Sequence, residues 1–513
     1  MTSETRHPVA ADAAFDGGTL DCGSGLLLLI RQHIDPLPAG GLLEVRSAEA
    51  SVKEDLPAWC RMTGNELVSE IHAPGRSSFL VSKGPYLPRE AAPAAPPPAA
   101  PAPQLQQVVP VHLPAFLPAP APAPAIPPLA VMGMGSWPRP RWLLDALHDH
   151  LEGRLDDATF EATADDAVRL ALQGQLDGGV DVVTDGEQRR DNYASFVGAR
   201  LDNCQLVPIT DLLAYVSDPA EFERELKALD VPAGKVRHPA VFGPLSRRRP
   251  LAVHELEFLK GLTARPIKVA LPGPYLLTRT MWMECVSDRA YADREALARD
   301  IVRVLREELH FLLASGAALV QLDEPILSEV VFGGSVTGNR TFMCGVLDAR
   351  GAADAELAFA ESLLQEVTAG LSRERLALHV CRGNWTPDER VALSGDYRPL
   401  LPLLSRAPVG TLFLELATPR AGELEVLRAL PDDKRIGVGV VNQKRPAVEP
   451  AEAVLARAER AVQLFGPSRV LLNPDCGFAT FADNPIASAR LATGMLGAIS
   501  AAARTLRARH RLG

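Results

Sequence analysis

No apolar run in this chain approaches the roughly 20 residues that cross a bilayer, so no membrane-spanning helix is expected. An excess of positive charge is also lacking. The formal net charge is -10 and the pI about 5.7, which argues against a nucleic-acid or anionic-membrane surface. Cysteine is sparse: seven residues, an odd and widely scattered set, make no disulfide framework and read as thiols or metal ligands. The first residues, Met1-Thr-Ser-Glu-Thr-Arg-His7, contain no apolar signal core. These features together predict a cytoplasmic protein whose thiols stay reduced.

What the chain has in abundance is length and proline. Its 513 residues suffice for two or more domains with full-sized cores. Fourteen prolines and thirteen alanines among residues 91–130 mark a divider. Such a stretch reads as a stiff, weakly ordered linker, about 3.1 Å per residue where it is polyproline-like. The expected organisation is a disordered N-terminus over 1–14, a small domain over 15–86, a Pro/Ala-rich linker over 87–128, and a large domain over 129–513.

The small domain predicts a helix over Leu26–Ile34, a strand over Leu42–Ser47, a helix around Asp55–Cys60, and a closing hairpin of Glu66–His72 with Ser78–Ser82. The order βαβαββ makes a two-layer α/β domain. On Cys22 before the first helix and the run Asp55-Leu-Pro-Ala-Trp-Cys-Arg-Met-Thr-Gly-Asn-Glu-Leu67, it resembles the TusA-like sulfur-carrier family. That resemblance implies a persulfide on Cys22 and a sulfur-relay partner. A cysteine at a helix N-terminus is expected to have a lowered pKa. The family's Cys-Pro-x-Pro is here Cys22-Gly23-Ser24-Gly25, which leaves a docking role open.

In the large domain, eight short apolar runs alternate with amphipathic stretches. They begin at Leu129, Val180, Ile267, Ala318, Leu376, Thr411, Ile436 and Val470. Eight β/α units imply a TIM (β/α)8 barrel, with catalytic groups at the strand C-termini. The segment 191–264 is an insertion in which Ala240–Gly243 and Pro250–Val253 suit an added hairpin.

His379 and Cys381 end the fifth run, and residues two apart on a strand face the same side. Glu415 ends the sixth run and Cys476 follows the eighth. One imidazole, two thiolates and a carboxylate form a plausible tetrahedral zinc site. Cys60, Cys204, Cys285 and Cys344 read as structural.

Several motifs then occur in order: Gly135-Ser136-Trp137-Pro138, Thr184-Asp-Gly-Glu187, Leu271-Pro-Gly-Pro274, Gln321-Leu-Asp-Glu-Pro325, His379-Val-Cys381, Glu415 and Asn473-Pro-Asp-Cys-Gly477. With them, residues 130–505 resemble the catalytic barrel of cobalamin-independent methionine synthase. The resemblance implies that His379, Cys381, Glu415 and Cys476 bind Zn2+. It implies that Met134, Gly135, Ser136, Glu187 and Asp323 hold the amino-acid end of homocysteine. Trp282 and Glu329 fall near positions that serve the folate methyl donor. Full-length members carry a second barrel where this chain has the small domain. They also place a proton-donating histidine where Lys444 stands here, and a lysine can serve only if its pKa is depressed.

The expected function is zinc-dependent methyl transfer to the thiol of homocysteine, from a folate or a methylcobalamin protein. Two alternatives stay open. Cys381-Arg-Gly-Asn-Trp385 also resembles enzymes that alkylate other small thiols, such as epoxyalkane–coenzyme M transferases. A non-catalytic sulfur-relay protein is the other.

Overall fold

The computed structural model describes residues 7–73, 76–87, 107–208, 237–282, 287, 290–333, 352–384 and 386–512. The chain divides into two compact units, Met1–Gln106 with Val207–Arg237 and Gln107–Leu206 with His238–Gly513.

The first unit is a four-stranded sheet of β1 (Ala13–Asp16), β2 (Leu42–Ser47), β3 (Glu66–Ala73) and β4 (Arg76–Ser82), in the order β1-β2-β4-β3. β1 runs parallel to β2, and the other pairings are antiparallel. Val52, Leu56, Trp59 and Cys60 form one buried stripe on the helix Val52–Thr63, at the spacing that lays a helix on a sheet. They meet Leu43, Val45, Phe79 and Val81, which share one face of β2 and β4 at the spacing of two. The βαβαββ order is as the sequence predicts. The expected disorder over 1–14 is corrected for residues 7–14. His7 bridges Ser69 and Ser78 at 2.6 and 2.8 Å, Asp12 accepts from the Leu42 amide at 2.8 Å, and β1 begins at Ala13.

The second unit is the barrel. Its first two strands are short, joined through the parallel bridges Val131↔Leu472, Met132↔Val182 and Val183↔Ile267. Between the second and third strands lies a two-stranded ribbon of β5 (Leu201–Pro208) and β6 (Arg237–Arg247). Ala240–Gly243 lies in that ribbon, but Pro250–Val253 is not its partner, because the chain there turns into the helix Val253–Lys260. The remaining six barrel strands are β7 (Lys268–Pro272), β8 (Leu319–Asp323), β9 (Leu376–Val380), β10 (Thr411–Leu414), β11 (Arg435–Val441) and β12 (Val470–Pro474), each parallel to its neighbours. The bridges close this sheet into a ring of eight.

These strands are buried on both faces, which is why they read as continuous apolar runs and not as alternations. Phe413 fills the interior, and Gly437 beside it has no side chain because a Cβ would strike that ring. Outer helices start on side-chain caps: Asp156, Asp293 and Ser488 accept from the Thr159, Ala296 and Leu491 amides. Among the described residues no helix is long and apolar enough to cross a membrane.

The expected linker 87–128 is corrected in its second half. Residues 107–128 belong to the barrel unit. Asn203 accepts from the Val109 amide at 2.8 Å and donates to its carbonyl at 2.9 Å. Arg375 donates to the Ala121 carbonyl at 2.5 Å, His310 meets the Pro118 carbonyl at 3.1 Å, and Ile126 packs on the barrel core. A proline-rich strand offers many free carbonyls and few amides, so side-chain donors can hold it without any sheet.

Candidate functional site

The barrel strands deliver their last residues to one cavity of about 460 Å³, counting the part open to solvent. Met134, Gly135 and Ser136 reach it from the first strand, Glu187 and Tyr193 from beyond the second, and Gln321, Asp323 and Pro325 from the fourth. His379, Cys381 and Asn384 come from the fifth, and Cys476, Gly477 and Thr480 from the eighth.

The donor atoms of His379, Cys381 and Cys476 lie within 4.8 Å of one another and all three residues are buried. Asp323 Oδ1 accepts from His379 Nδ1 at 2.8 Å, which turns His379 Nε2 away, buried and without a partner. The thiols share a hydrogen bond. Donation from Cys476, helped by His379, brings the Cys381 thiol down to about 7 against the effect of burial. The same bond, together with burial, holds Cys476 well above its ordinary value. Burial opposes charge on His379, but the bond and charge of Asp323 outweigh it and the imidazole is raised. Two soft sulfurs and an imidazole with a bare nitrogen are a donor set for a borderline-soft metal ion.

Glu415 is fully buried beside this cluster, and its charge acts on both thiols. Its carboxylate accepts from Asn384 Nδ2 at 2.7 Å and from Arg420. It therefore stands outside the three-residue cluster. Tyr397 fixes the backbone here, accepting from the Glu415 amide at 3.0 Å and donating to the Val380 carbonyl at 3.2 Å.

Across the cavity, Glu187 is 4% exposed, and its Oε2 has no partner. Its backbone sits in the left-handed region at φ 56°, a conformation that costs about 1 kcal/mol or more for a residue with a side chain. Burial raises its carboxyl to about 7, although Arg190 pulls the other way. Arg190 itself is spoken for by Glu255 at 2.5 Å, and stands 3.9 Å from Glu187. A Cβ on Gly135 would meet the Glu187 carboxylate, which would have to move from its place beside the cavity. A strained, buried carboxylate with one oxygen unpartnered beside a cavity is built to receive a cation.

The other candidates fall at differing distances from this centre. Lys444 is buried, with Nζ 3.2 Å from the Asp388 carbonyl; burial and then Arg420 lower its pKa, with Glu415 and Cys476 opposing. Trp282 and Glu329 are buried but do not line the cavity. Trp282 closes the helix Pro274–Met281, and Glu329 lies on the helix Ile326–Phe332, whose Ser328 donates to the Cys381 carbonyl at 2.7 Å. Cys204 is buried and burial pushes its thiol up. Cys285, Cys344 and Trp385 lie outside the described residues.

Cys22 differs from the sequence expectation. It opens an irregular turn, Cys22–Leu26, that breaks at Gly25 (φ 125°) before the regular helix Leu27–Ile34. Burial, then Asp55 and Asp21, raise its thiol to about 11, so the helix terminus does not activate it.

Sequence reasoning missed Lys268, Tyr193, Asn384, Thr480 and Arg420 as parts of the site. For Lys268 a signal existed: one charge inside the apolar run Ile267-Lys-Val-Ala-Leu271.

Residues 129–496 match the family model described as the catalytic domain of cobalamin-independent synthase. The chain is similar to the methionine synthase of Saccharolobus solfataricus, 26% identical over 354 residues, covering 69% of this chain and 89% of that protein. The methionine synthase of Sulfurisphaera tokodaii is 26% identical over 353 residues, covering 69% and 86%. Among solved structures, a B12-independent methionine synthase from Shewanella sp. W3-18-1 in complex with selenomethionine shares the fold at TM-score 0.57 and 24% identity, covering 75% of this chain and 99% of that one. A putative vitamin-B12 independent methionine synthase from Listeria monocytogenes shares it at TM-score 0.52 and 18% identity, with the same coverage.

Proposed function

Since the chain belongs to the family of cobalamin-independent synthase catalytic domains, we propose that it transfers a methyl group to the thiol of homocysteine, giving methionine. One observation carries the reading: the buried carboxylate of Glu187, whose Oε2 has no partner, and the cluster of His379, Cys381 and Cys476 line a single cavity. A carboxylate for an ammonium group and a metal-ligating cluster for a thiol are what a thiol amino acid demands. Their shared cavity favours homocysteine over a thiol without an amino group.

The proposed metal is zinc, held by His379, Cys381 and Cys476 with Glu415 as the fourth donor once Asn384 and Arg420 yield one carboxylate oxygen. The bare Nε2 of His379 and the low Cys381 thiol fit this ion. Zinc bound there supplies a Lewis acid that keeps a substrate thiol ionised at neutral pH.

The chain's own residues do the rest. Glu187 takes the ammonium by a charge-assisted hydrogen bond. Asp323, which the sequence assigns to the ammonium, spends Oδ1 on His379 and Gln321, so it orients the histidine first. Met134 to Ser136 form the wall nearest Glu187. In the transfer, the sulfur–methyl bond forms as the bond from methyl to donor breaks, and the donor keeps the electron pair. The role assigned to Lys444, whose pKa burial lowers, is to return a proton to that leaving group. Trp282 and Glu329 are assigned to the donor side. The described cysteines are all free thiols, in keeping with a cytoplasmic enzyme. For the small unit we keep a docking role, and sulfur transfer through Cys22 would need a partner that lowers its thiol.

The test is methyl transfer by the zinc-loaded protein to homocysteine, compared with 2-mercaptoethanesulfonate and cysteine. Preference for homocysteine that disappears in Glu187→Gln is the expected result. Equal rates with all three thiols would remove the amino-acid acceptor.

A further inference from the structure

Lys268 is the most unusual residue of the barrel interior. It is 1% exposed and lies against the interior Phe413 ring, where an apolar residue would fill the space without desolvating an ammonium. Burial pushes its pKa down to about 7, although Asp323 and Glu187 oppose this.

Its ammonium makes two hydrogen bonds and one ring contact. Nζ donates to the Met134 carbonyl at 3.1 Å and to Gln321 Oε1 at 2.6 Å, and it lies 4.4 Å from the centre of the Phe413 ring. An ammonium only donates, so the Gln321 oxygen must face it. The Gln321 amide nitrogen must then face the other way. It donates to Asp323 Oδ1 at 2.7 Å and to the Met134 carbonyl at 3.0 Å. Asp323 Oδ1 is thereby an acceptor, and it meets His379 Nδ1 at 2.8 Å. The proton of the neutral imidazole belongs on Nδ1, and the lone pair is left on the unpartnered Nε2.

We propose that Lys268 is a positioning residue that sets the direction of the chain Lys268–Gln321–Asp323–His379, and so presents His379 Nε2 to the metal. Without the ammonium, Gln321 Oε1 is a buried acceptor with no donor, and the amide is released to swing away from Asp323. The same lysine pins the Met134 carbonyl, just before the Gly135–Ser136 wall. One cation therefore ties the metal histidine to the substrate wall. This inference rests on His379 being a metal ligand, as proposed above, but not on the methyl chemistry.

The experiment uses the full chain with Lys268→Met, Gln321→Met and the double variant. Two readouts serve: zinc affinity by chelator competition, and the imidazole tautomer of His379 in metal-free protein by nitrogen-15 NMR of labelled histidine. Outer partners of metal-binding histidines are worth about 10–100-fold in affinity. Each single variant should lose about tenfold or more, the double variant no more than either alone, and the Nδ1–H tautomer should no longer dominate. A folded Lys268→Met with wild-type zinc affinity and tautomer overturns the proposal, as do losses that simply add. Should Lys268→Met not fold, Gln321→Met decides: wild-type affinity there overturns it equally. Zinc affinity that falls as expected in a protein that never methylates homocysteine would sink the proposed function and leave this inference standing. A protein that binds no zinc is judged on the tautomer alone.

Discussion

His379 Nδ1 donates to Asp323 Oδ1 across 2.8 Å, both side chains buried. The bond ties Asp323 to the proposed metal centre as well as to the proposed amino-acid wall. Asp323→Asn should therefore weaken zinc binding by about 10–100-fold, and weaken homocysteine with it. Chelator competition measures the first and calorimetry the second. Unchanged zinc affinity would mean that His379 does not need its partner.

Cys381→Ser and Cys476→Ser should each lose stoichiometric zinc, because each removes one of the three donors clustered within 4.8 Å. Glu415→Gln is the sharper variant, since Glu415 is held by Asn384 and Arg420 and lies outside that cluster. Occupancy in Glu415→Gln should fall less than in either serine variant. Elemental analysis decides, and full zinc in the double serine variant would reject the assignment.

Glu187 gives a pH dependence. Its folded carboxyl is raised to about 7 from an ordinary 4.5, chiefly by burial. A carboxyl that binds its proton more tightly folded than unfolded loses stability as pH rises from about 4.5 to about 7, and the deficit stays above that. The shift corresponds to about 3 kcal/mol. Glu187→Gln should therefore melt higher than the parent at pH 8, with the difference closing near pH 4. Its amino-acid binding should also stop strengthening between pH 6 and 8. Thermal melts and calorimetry across that range give the answer, and an unchanged Tm at pH 8 goes against a destabilising buried charge at Glu187.

Much of the barrel was legible because parallel strands buried on both faces leave uninterrupted apolar runs. Val470–Asn473, read as a strand, is β12 less one residue. His379 and Cys381 were legible through the period of two. The role of Asp323 was not, since its partner lies 56 positions away and only the register of β8 on β9 brings them together. Composition misled at 107–128, where proline content marks an extended chain but cannot say whether donors such as Asn203 and Arg375 wait beside it. It misled again at Cys22, where burial and then Asp55 and Asp21 oppose the expected helix effect.

The Cys22 thiol, raised to about 11, should alkylate slowly at pH 7, and its rate should rise about tenfold per pH unit up to pH 9 as the thiolate fraction grows. Cys60 is equally raised and more deeply buried, so Cys22 should still react first. Mass spectrometry after timed iodoacetamide treatment resolves the two. Fast labelling at pH 7, or added sulfur on Cys22 after a persulfide donor, would restore the carrier reading.

The last prediction concerns the methyl donor. Gripping a polyglutamate tail calls for a basic surface. From Cys22 to Gly84 the small unit has six basic residues, Arg31, Arg46, Lys53, Arg61, Arg76 and Lys83, against seven acidic ones, Asp35, Glu44, Glu49, Glu54, Asp55, Glu66 and Glu70. Four of the six are already engaged within the unit. Arg31 pairs with Asp35 at 3.6 Å, Arg46 with Glu44 at 2.9 Å and Arg76 with Asp16, while Lys83 donates to the Asp35 and Leu37 carbonyls. Little positive charge is left for a chain of carboxylates. On the barrel, the proposed acid for the leaving group is Lys444, whose pKa burial lowers. Transfer from monoglutamyl methyltetrahydrofolate or from methylcobalamin should therefore be at least as fast as from the triglutamyl folate. Lys444→Met should slow the folate reaction more than the cobalamin one, because a folate nitrogen takes up a proton on leaving and reduced cobalt need not. Side-by-side rates with the three donors test both statements, and a strict requirement for the triglutamate would show that this chain grips the tail through residues other than these.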